Sequence, residues 1–123
     1  MARCAAGGAD PLGKAASQLR DAMMAHPELV AGETRACTEL MRAAPGVALK
    51  TGAEAVFIAI IPGLRAGIAV KIEDGATRAS EALIAALLIR LGVLEADHPA
   101  ALKRLGPIHT WDGLQTGQTS ALL

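Results

Sequence analysis

Apolar positions along the chain change their period, and each change marks an element. Asp10-Pro11 suits a helix start, with aspartate as cap and proline in the first turn. Leu12, Ala15, Ala16, Leu19, Ala22 and Met23 then recur at helical spacing. His26-Pro27 ends that helix or begins the next turn. A second helix is predicted from about Thr34 to Ala43, with Leu40 and Met41 on its buried side and Pro45-Gly46 closing it. The texture then becomes that of strands. Val47-Ala48-Leu49-Lys50-Thr51-Gly52 reads as a short strand running into a glycine, and Ala55 to Ile61 is an apolar, β-branched run. Pro62-Gly63 breaks it, and Gly67 to Ile72 resumes as a strand with Ile68, Val70 and Ile72 on one face. The short loop predicts an antiparallel hairpin. Its first strand, apolar on both faces, is expected to be central and covered on both sides.

Asp74-Gly75 turns the chain, and Asp74 is placed to cap the following helix. Leu83, Ile84, Leu87, Leu88 and Leu91 form one helical face, and Gly92 ends the helix. A short helix is expected from Pro99 to Leu105, with Asp97 or His98 near its start. Asp112-Gly113 at the centre of Ile108 to Thr116 signals a small terminal hairpin, followed by a loose tail from Gln118. No repeat or low-complexity tract is present. The order predicts one α+β domain over residues 1–123, an antiparallel sheet flanked by helices.

Composition narrows the function. Apolar residues make up 52% of the chain, enough for a buried core rather than disorder. With 12 basic and 12 acidic side chains, no single-sign field exists to steer nucleic acid or a membrane surface. One Phe, one Trp and no Tyr leave little for a base-stacking surface, so nucleic-acid binding is not expected. The core must be built from Leu, Ile, Val, Ala and Met, whose small area per residue predicts marginal stability. The run Ala82 to Ile89 stops at Arg90, too short to cross a bilayer, and Met1 to Gly8 has no signal-like apolar stretch. Cys4 and Cys37 show no metal or redox spacing, so a soluble, cytoplasmic protein with reduced thiols is expected. His26, His98 and His109 are scattered, and no metal site is expected within the chain.

The triplet Lys50-Thr51-Gly52 carries the chemistry. On serine β-lactamases and penicillin-binding proteins a Lys-Thr-Gly lies on a strand beside the nucleophilic serine. Lysine there sets positive charge beside an anionic substrate group and tunes proton transfer. The hydroxyl donates to the same group, and glycine removes the side chain where substrate meets the strand. A solvated lysine at a strand end would account for the triplet taken alone. Here an apolar hairpin and a long packing helix follow it.

Longer stretches carry a wider resemblance. His26-Pro27-Glu28-Leu29-Val30-Ala31-Gly32, Thr38-Glu39-Leu40-Met41-Arg42-Ala43 and Lys50-Thr51-Gly52-Ala53-Glu54 resemble the rhizobial-type L-asparaginases. So do Lys71-Ile72-Glu73-Asp74-Gly75-Ala76-Thr77-Arg78-Ala79 and Arg90-Leu91-Gly92-Val93-Leu94, all in the family's order over residues 11–117. The resemblance implies a partial serine β-lactamase-like fold, related to glutaminases, and hydrolysis of L-asparagine to L-aspartate and ammonia. It implies a serine in a Ser-x-x-Lys arrangement aided by a second lysine, which Lys50 matches, with Thr51 and Gly52 at the substrate; Cys37 either lines the pocket or is a small buried packing thiol. It further implies a homodimer for the full-length enzyme.

The departures are equally specific. Ser17 is followed three residues later by Arg20, and Ser80 by Leu83, so no Ser-x-x-Lys is present. The family's nucleophile and its zinc-binding Cys and Lys belong to an N-terminal portion upstream of these segments, so no cofactor is expected within this chain. Residue 55 is Ala where the family more often has Gly. The expectation is the C-terminal portion of a larger asparaginase, contributing Lys50 to a site that an N-terminal half completes. The competing reading is a non-catalytic, truncated relative that acts as an association module. A hydrolase of another amide, such as glutamine, is the third. Glu54 is a candidate for orienting the site or for a solvated turn carboxylate, and Asp74 with Arg78 for a cap and local ion pair.

Overall fold

A computed structural model describes residues 2–123. Helices α1 (Ala2–Ala6), α2 (Pro11–Ala25), α3 (Pro27–Ala31) and α4 (Ala36–Ala43) precede the strands β1 (Ala48–Thr51), β2 (Val56–Ile61) and β3 (Ala66–Lys71). Helices α5 (Thr77–Arg90) and α6 (Pro99–Leu102) follow, then a terminal hairpin of β4 (Pro107–His109) and β5 (Gln115–Gln118). The fold is α+β, as the pattern predicts.

Local chemistry accounts for most boundaries. Asp10 accepts a hydrogen bond from the Gly13 amide at 2.9 Å, with Pro11 in the first turn, so α2 starts where the sequence places it. Helix α5 ends in a Schellman motif: Val93 N–H bonds Leu88 O at 3.1 Å and Gly92 N–H bonds Ile89 O at 2.9 Å, with Gly92 at φ 69. His98 Nδ1 accepts from the Ala100 amide at 3.1 Å and so caps α6. Asp74 does not cap α5. Its carboxylate accepts from the Ala76 amide at 2.9 Å, an Asx turn, and Ala76 is the N-cap. Among the described residues Asp74 and Arg78 form no ion pair.

The three main strands form an antiparallel sheet in the order β1-β2-β3, so β2 is central. One face presents Leu49, Phe57, Ala59, Ile61 and Val70 to a core completed by Leu40 of α4 and Ile84, Ala85 and Leu88 of α5. Phe57, Leu40, Ile84 and Leu88 are fully buried, and each stabilises the fold by about 1.5–3 kcal/mol. The opposite face is only partly covered. Ala48 and Ile60 lie under Ala5 of α1 and under Met23 and Met24 of α2, while Val56 and Ile58 are half-exposed. The expectation of full cover on both sides of β2 therefore holds at one end only, because α1 and the end of α2 reach no further along the strand.

Two helices face otherwise than their stripes suggest. In α2 the leucines of the apolar stripe point outward, Leu12 62% and Leu19 69% exposed, and only Met23 at its end packs towards the sheet. Gly13 is the buried residue there, at a close crossing with Gly8. In α5 the buried residues are Ser80, Ala82, Ile84, Ala85 and Leu88, whereas Leu83 and Leu87 are half-buried and Leu91 is exposed. Small side chains at Ser80 and Ala85 let the helix axis approach the sheet more closely than a leucine-lined face would.

Candidate active site

Lys50-Thr51-Gly52 ends β1, and β1 is an edge strand. Lys50 lies opposite Ile58 on the half-covered face, exposed to solvent. The Gly52 amide bonds Val56 O at 2.7 Å. Antiparallel alternation then turns the N–H and C=O of Thr51 away from β2, along the free edge. Side chains satisfy both. The Thr51 amide donates to Cys37 Sγ at 3.2 Å, and Lys50 Nζ donates to Thr51 O at 2.6 Å. Thr51 Oγ1 donates to Val56 O at 3.3 Å.

Cys37 sits on α4 with no exposed surface. It stands behind the strand end and holds it through the Thr51 amide rather than opening onto solvent. A side chain at Gly52 would place its Cβ 3.3 Å from Val56 Cβ, so the motif's glycine keeps this end of β1 uncrowded.

The turn that follows carries strain. Val56 N–H bonds Ala53 O at 3.2 Å, and the central residues Glu54 and Ala55 have φ 55 and 52. Both lie in the left-handed region that tight hairpin turns demand and that glycine or asparagine adopts most readily. Each such residue costs roughly 1–2 kcal/mol. Ala55 is thus at a position whose backbone favours the glycine more common in the family it resembles. Glu54 is exposed and forms no ion pair among the described residues; its Oε2 lies against Gly75, where an added Cβ would be 3.3 Å away.

No serine joins this group among the described residues: the only hydrogen bond of Lys50 Nζ is to Thr51 O. Ser80 is fully buried on α5, which covers the other face of the sheet, and its hydroxyl donates to Thr77 O at 2.9 Å. The histidines are likewise apart, His98 serving as a helix cap and His109 lying exposed on β4. Among the described residues no three His, Cys, Asp or Glu side chains gather in metal-binding geometry, so the donors present do not fit a zinc site.

An ionic cluster beside the site escaped the sequence. Glu39, two residues after Cys37, accepts from Lys103 Nζ at 2.7 Å and from Arg104 at 2.6 Å. The Arg104 side chain is 3% exposed, and its Nε, 3.7 Å from Glu81, has no hydrogen-bond partner. Partial burial pushes the Glu39 carboxyl up, but the paired hydrogen bonds from Lys103 and Arg104 outweigh that effect, and it titrates below its ordinary 4.5. The cluster ties α4, and through it Cys37 and the end of β1, to the α6 segment.

A family model described as L-asparaginase II matches residues 1–121. No curated protein matches the chain. Among the described residues, no helix is long and apolar enough to cross a membrane.

Proposed function

The chain belongs to the L-asparaginase II family, and from that membership we propose that it supplies one wall of an L-asparagine-hydrolysing site. In this reading the chain is the C-terminal portion of a serine β-lactamase-like amidohydrolase, and a segment other than residues 1–123 brings the Ser-x-x-Lys. The observation that carries it is the position of Lys50-Thr51-Gly52: on a free edge strand, with the lysine exposed beside a half-covered sheet face.

The chemistry follows from the groups. The serine oxygen attacks the side-chain amide carbon of L-asparagine as the lysine of the Ser-x-x-Lys takes its proton, which is then passed to the departing nitrogen. Negative charge grows on the amide oxygen, and the Lys50 ammonium stabilises it or relays a proton towards the departing nitrogen. Ammonia leaves, water cleaves the acyl-serine, and L-aspartate is released. Thr51 and Gly52 form the strand surface against which substrate lies, and Cys37 holds that surface from behind. In this reading the family's zinc ligands belong to the N-terminal portion. Both cysteines are free thiols, which supports a reducing cytoplasm. The expected homodimer is that of the complete enzyme.

The test is ammonia release from L-asparagine by the chain mixed with the N-terminal half of a related asparaginase. Lys50→Ala should lower kcat by a factor of about 100 or more, the scale of a lost proton-transfer group, with a smaller effect on KM. An unchanged kcat in a folded Lys50→Ala chain would remove Lys50 from the site.

One observation favours association as a second reading. The outward stripe of α2 adjoins Leu29, 82% exposed, across a groove of about 230 Å³ lined in part by Leu19, Met23 and Val30. Such a surface suits a covering partner, including the N-terminal half itself.

A further inference from the structure

Helix α4 packs against β1, and its own anchorage is uneven. It is a short helix, and the side chain of its N-cap, Arg35, makes no capping hydrogen bond. Its placement therefore rests on packing and on side-chain ties. Residues two apart point to opposite sides of a helix, about 200° round the axis. Cys37 accordingly meets the Thr51 amide, while Glu39 turns to Lys103 and Arg104. A second ion pair on α4, Arg42 with Glu33, is exposed at both ends and holds little. Arg104 is of another kind. Its side chain is buried where α4, α5 and α6 meet. Nη1 donates to Ala100 O at 2.8 Å and Nη2 to Glu39 at 2.6 Å, while Nε lies 3.7 Å from Glu81 of α5, too far for a hydrogen bond. A buried donor left open costs stability, and an apolar side chain would spare the fold that cost. Stability alone therefore does not account for an arginine here.

We propose that Arg104 is a positioning residue for the end of β1: it fixes α4, and through Cys37 and Thr51 it sets where the Lys50 ammonium stands. The chain of contacts is continuous. Arg104 holds the Glu39 carboxylate, and α4 carries Glu39 and Cys37 on one turn. Cys37 Sγ takes the Thr51 amide at 3.2 Å, and Thr51 O takes Lys50 Nζ at 2.6 Å. Release of Arg104 leaves Leu40 and Met41 buried in the core but frees the helix to roll about them. Thr51 then loses its partner, and the lysine loses a fixed support. A displacement of about 1 Å at a reacting group costs on the order of 100-fold in rate. The catalytic part of this inference rests on the asparaginase reading, whereas the coupling of Arg104 to Thr51 does not.

Nuclear magnetic resonance of the full chain, with turnover of L-asparagine on mixing with the N-terminal half, tests both parts. In Arg104→Met the Thr51 amide resonance should shift and its hydrogen exchange should quicken by about tenfold or more, with an unchanged circular dichroism spectrum. On mixing, kcat should fall by roughly 10- to 100-fold while KM stays within about twofold. Arg104→Lys keeps the charge but loses the fork, and should recover part of kcat. Arg42→Met removes the exposed pair from the same helix and should change neither reading. Glu39→Gln should give the Arg104→Met signature at smaller size, which decides the matter if Arg104→Met fails to fold. A Thr51 amide that stays in place in the folded variants overturns the coupling. An amide that moves while kcat holds, in an enzyme that Lys50→Ala inactivates, overturns the positioning role. No turnover on mixing, or an unchanged kcat in Lys50→Ala, overturns the asparaginase reading instead, and the Thr51 amide still decides the coupling.

Discussion

At the scale of single residues, the most informative are those that break a local rule. Glu54 and Ala55 are L-residues in left-handed backbone, immediately after the proposed catalytic strand. Strain of this kind persists only where its surroundings over-determine it. Ala55 is buried, so a branched side chain there meets both a forbidden backbone and a filled core. Ala55→Val should therefore destabilise the chain by about 2 kcal/mol or more. Glu54→Gly, at an exposed position, should stabilise it by up to about 1 kcal/mol. Urea unfolding of the two variants checks both signs, and a tolerated valine would mean that the turn relaxes freely. The triplet before the turn was legible in the sequence as the end of a strand. The hold of Cys37 on the Thr51 amide was not, because it depends on how α4 lies against the strand end, which no spacing within either segment encodes.

Elements were easier to find than to orient. Proline and glycine punctuate the strands and helices so clearly that β1 to β3, α5 and the terminal hairpin fall within a residue or two of their predicted bounds, apart from the late start of α5. Periodicity shows that a helix has a stripe but not which way the stripe faces. In α2 backbone proximity decides: Gly13 is tucked against Gly8, and the leucines are left outside. Helix α1 went unpredicted because it is a single alanine-rich turn whose role is to set Ala5 on the sheet. Gly13→Ala separates the competing effects. Helix propensity alone would add about 1 kcal/mol. The new Cβ, however, would stand 2.6 Å from Gly8 Cα, and a backbone atom yields less easily than a flexible side chain. The variant should be less stable by roughly 1–3 kcal/mol, with faster amide exchange in α1. Greater stability would show that the crossing is loose.

For the molecule as a whole, residues far apart in the chain hold the layers together. Glu39 and Arg104 meet across 65 positions, which is why the pair was invisible to motif reading. Because the Glu39 carboxyl titrates below 4.5 in the folded chain, its contribution is present above that value and is lost as pH falls through the lowered one. The acid limb of the stability curve, as pH falls below about 4.5, should be steeper for the wild type than for Glu39→Gln. Glu33 shifts the same way through Arg42 but is fully exposed, so screening leaves it little influence. Equal acid limbs would show that Glu39 does not govern this response. The exposed α2 stripe, the half-covered face beside Lys50 and the projecting hairpin with Trp111 at its tip all suit a body that others complete.

The most direct test of that account is ammonia release from L-asparagine by the purified chain, first alone and then with a Ser-x-x-Lys-bearing N-terminal half. The account predicts no activity from the folded chain by itself, activity on mixing, and its loss in Lys50→Ala. Turnover by the chain alone would contradict it, and would place the nucleophile among the serines, threonines and cysteines already present.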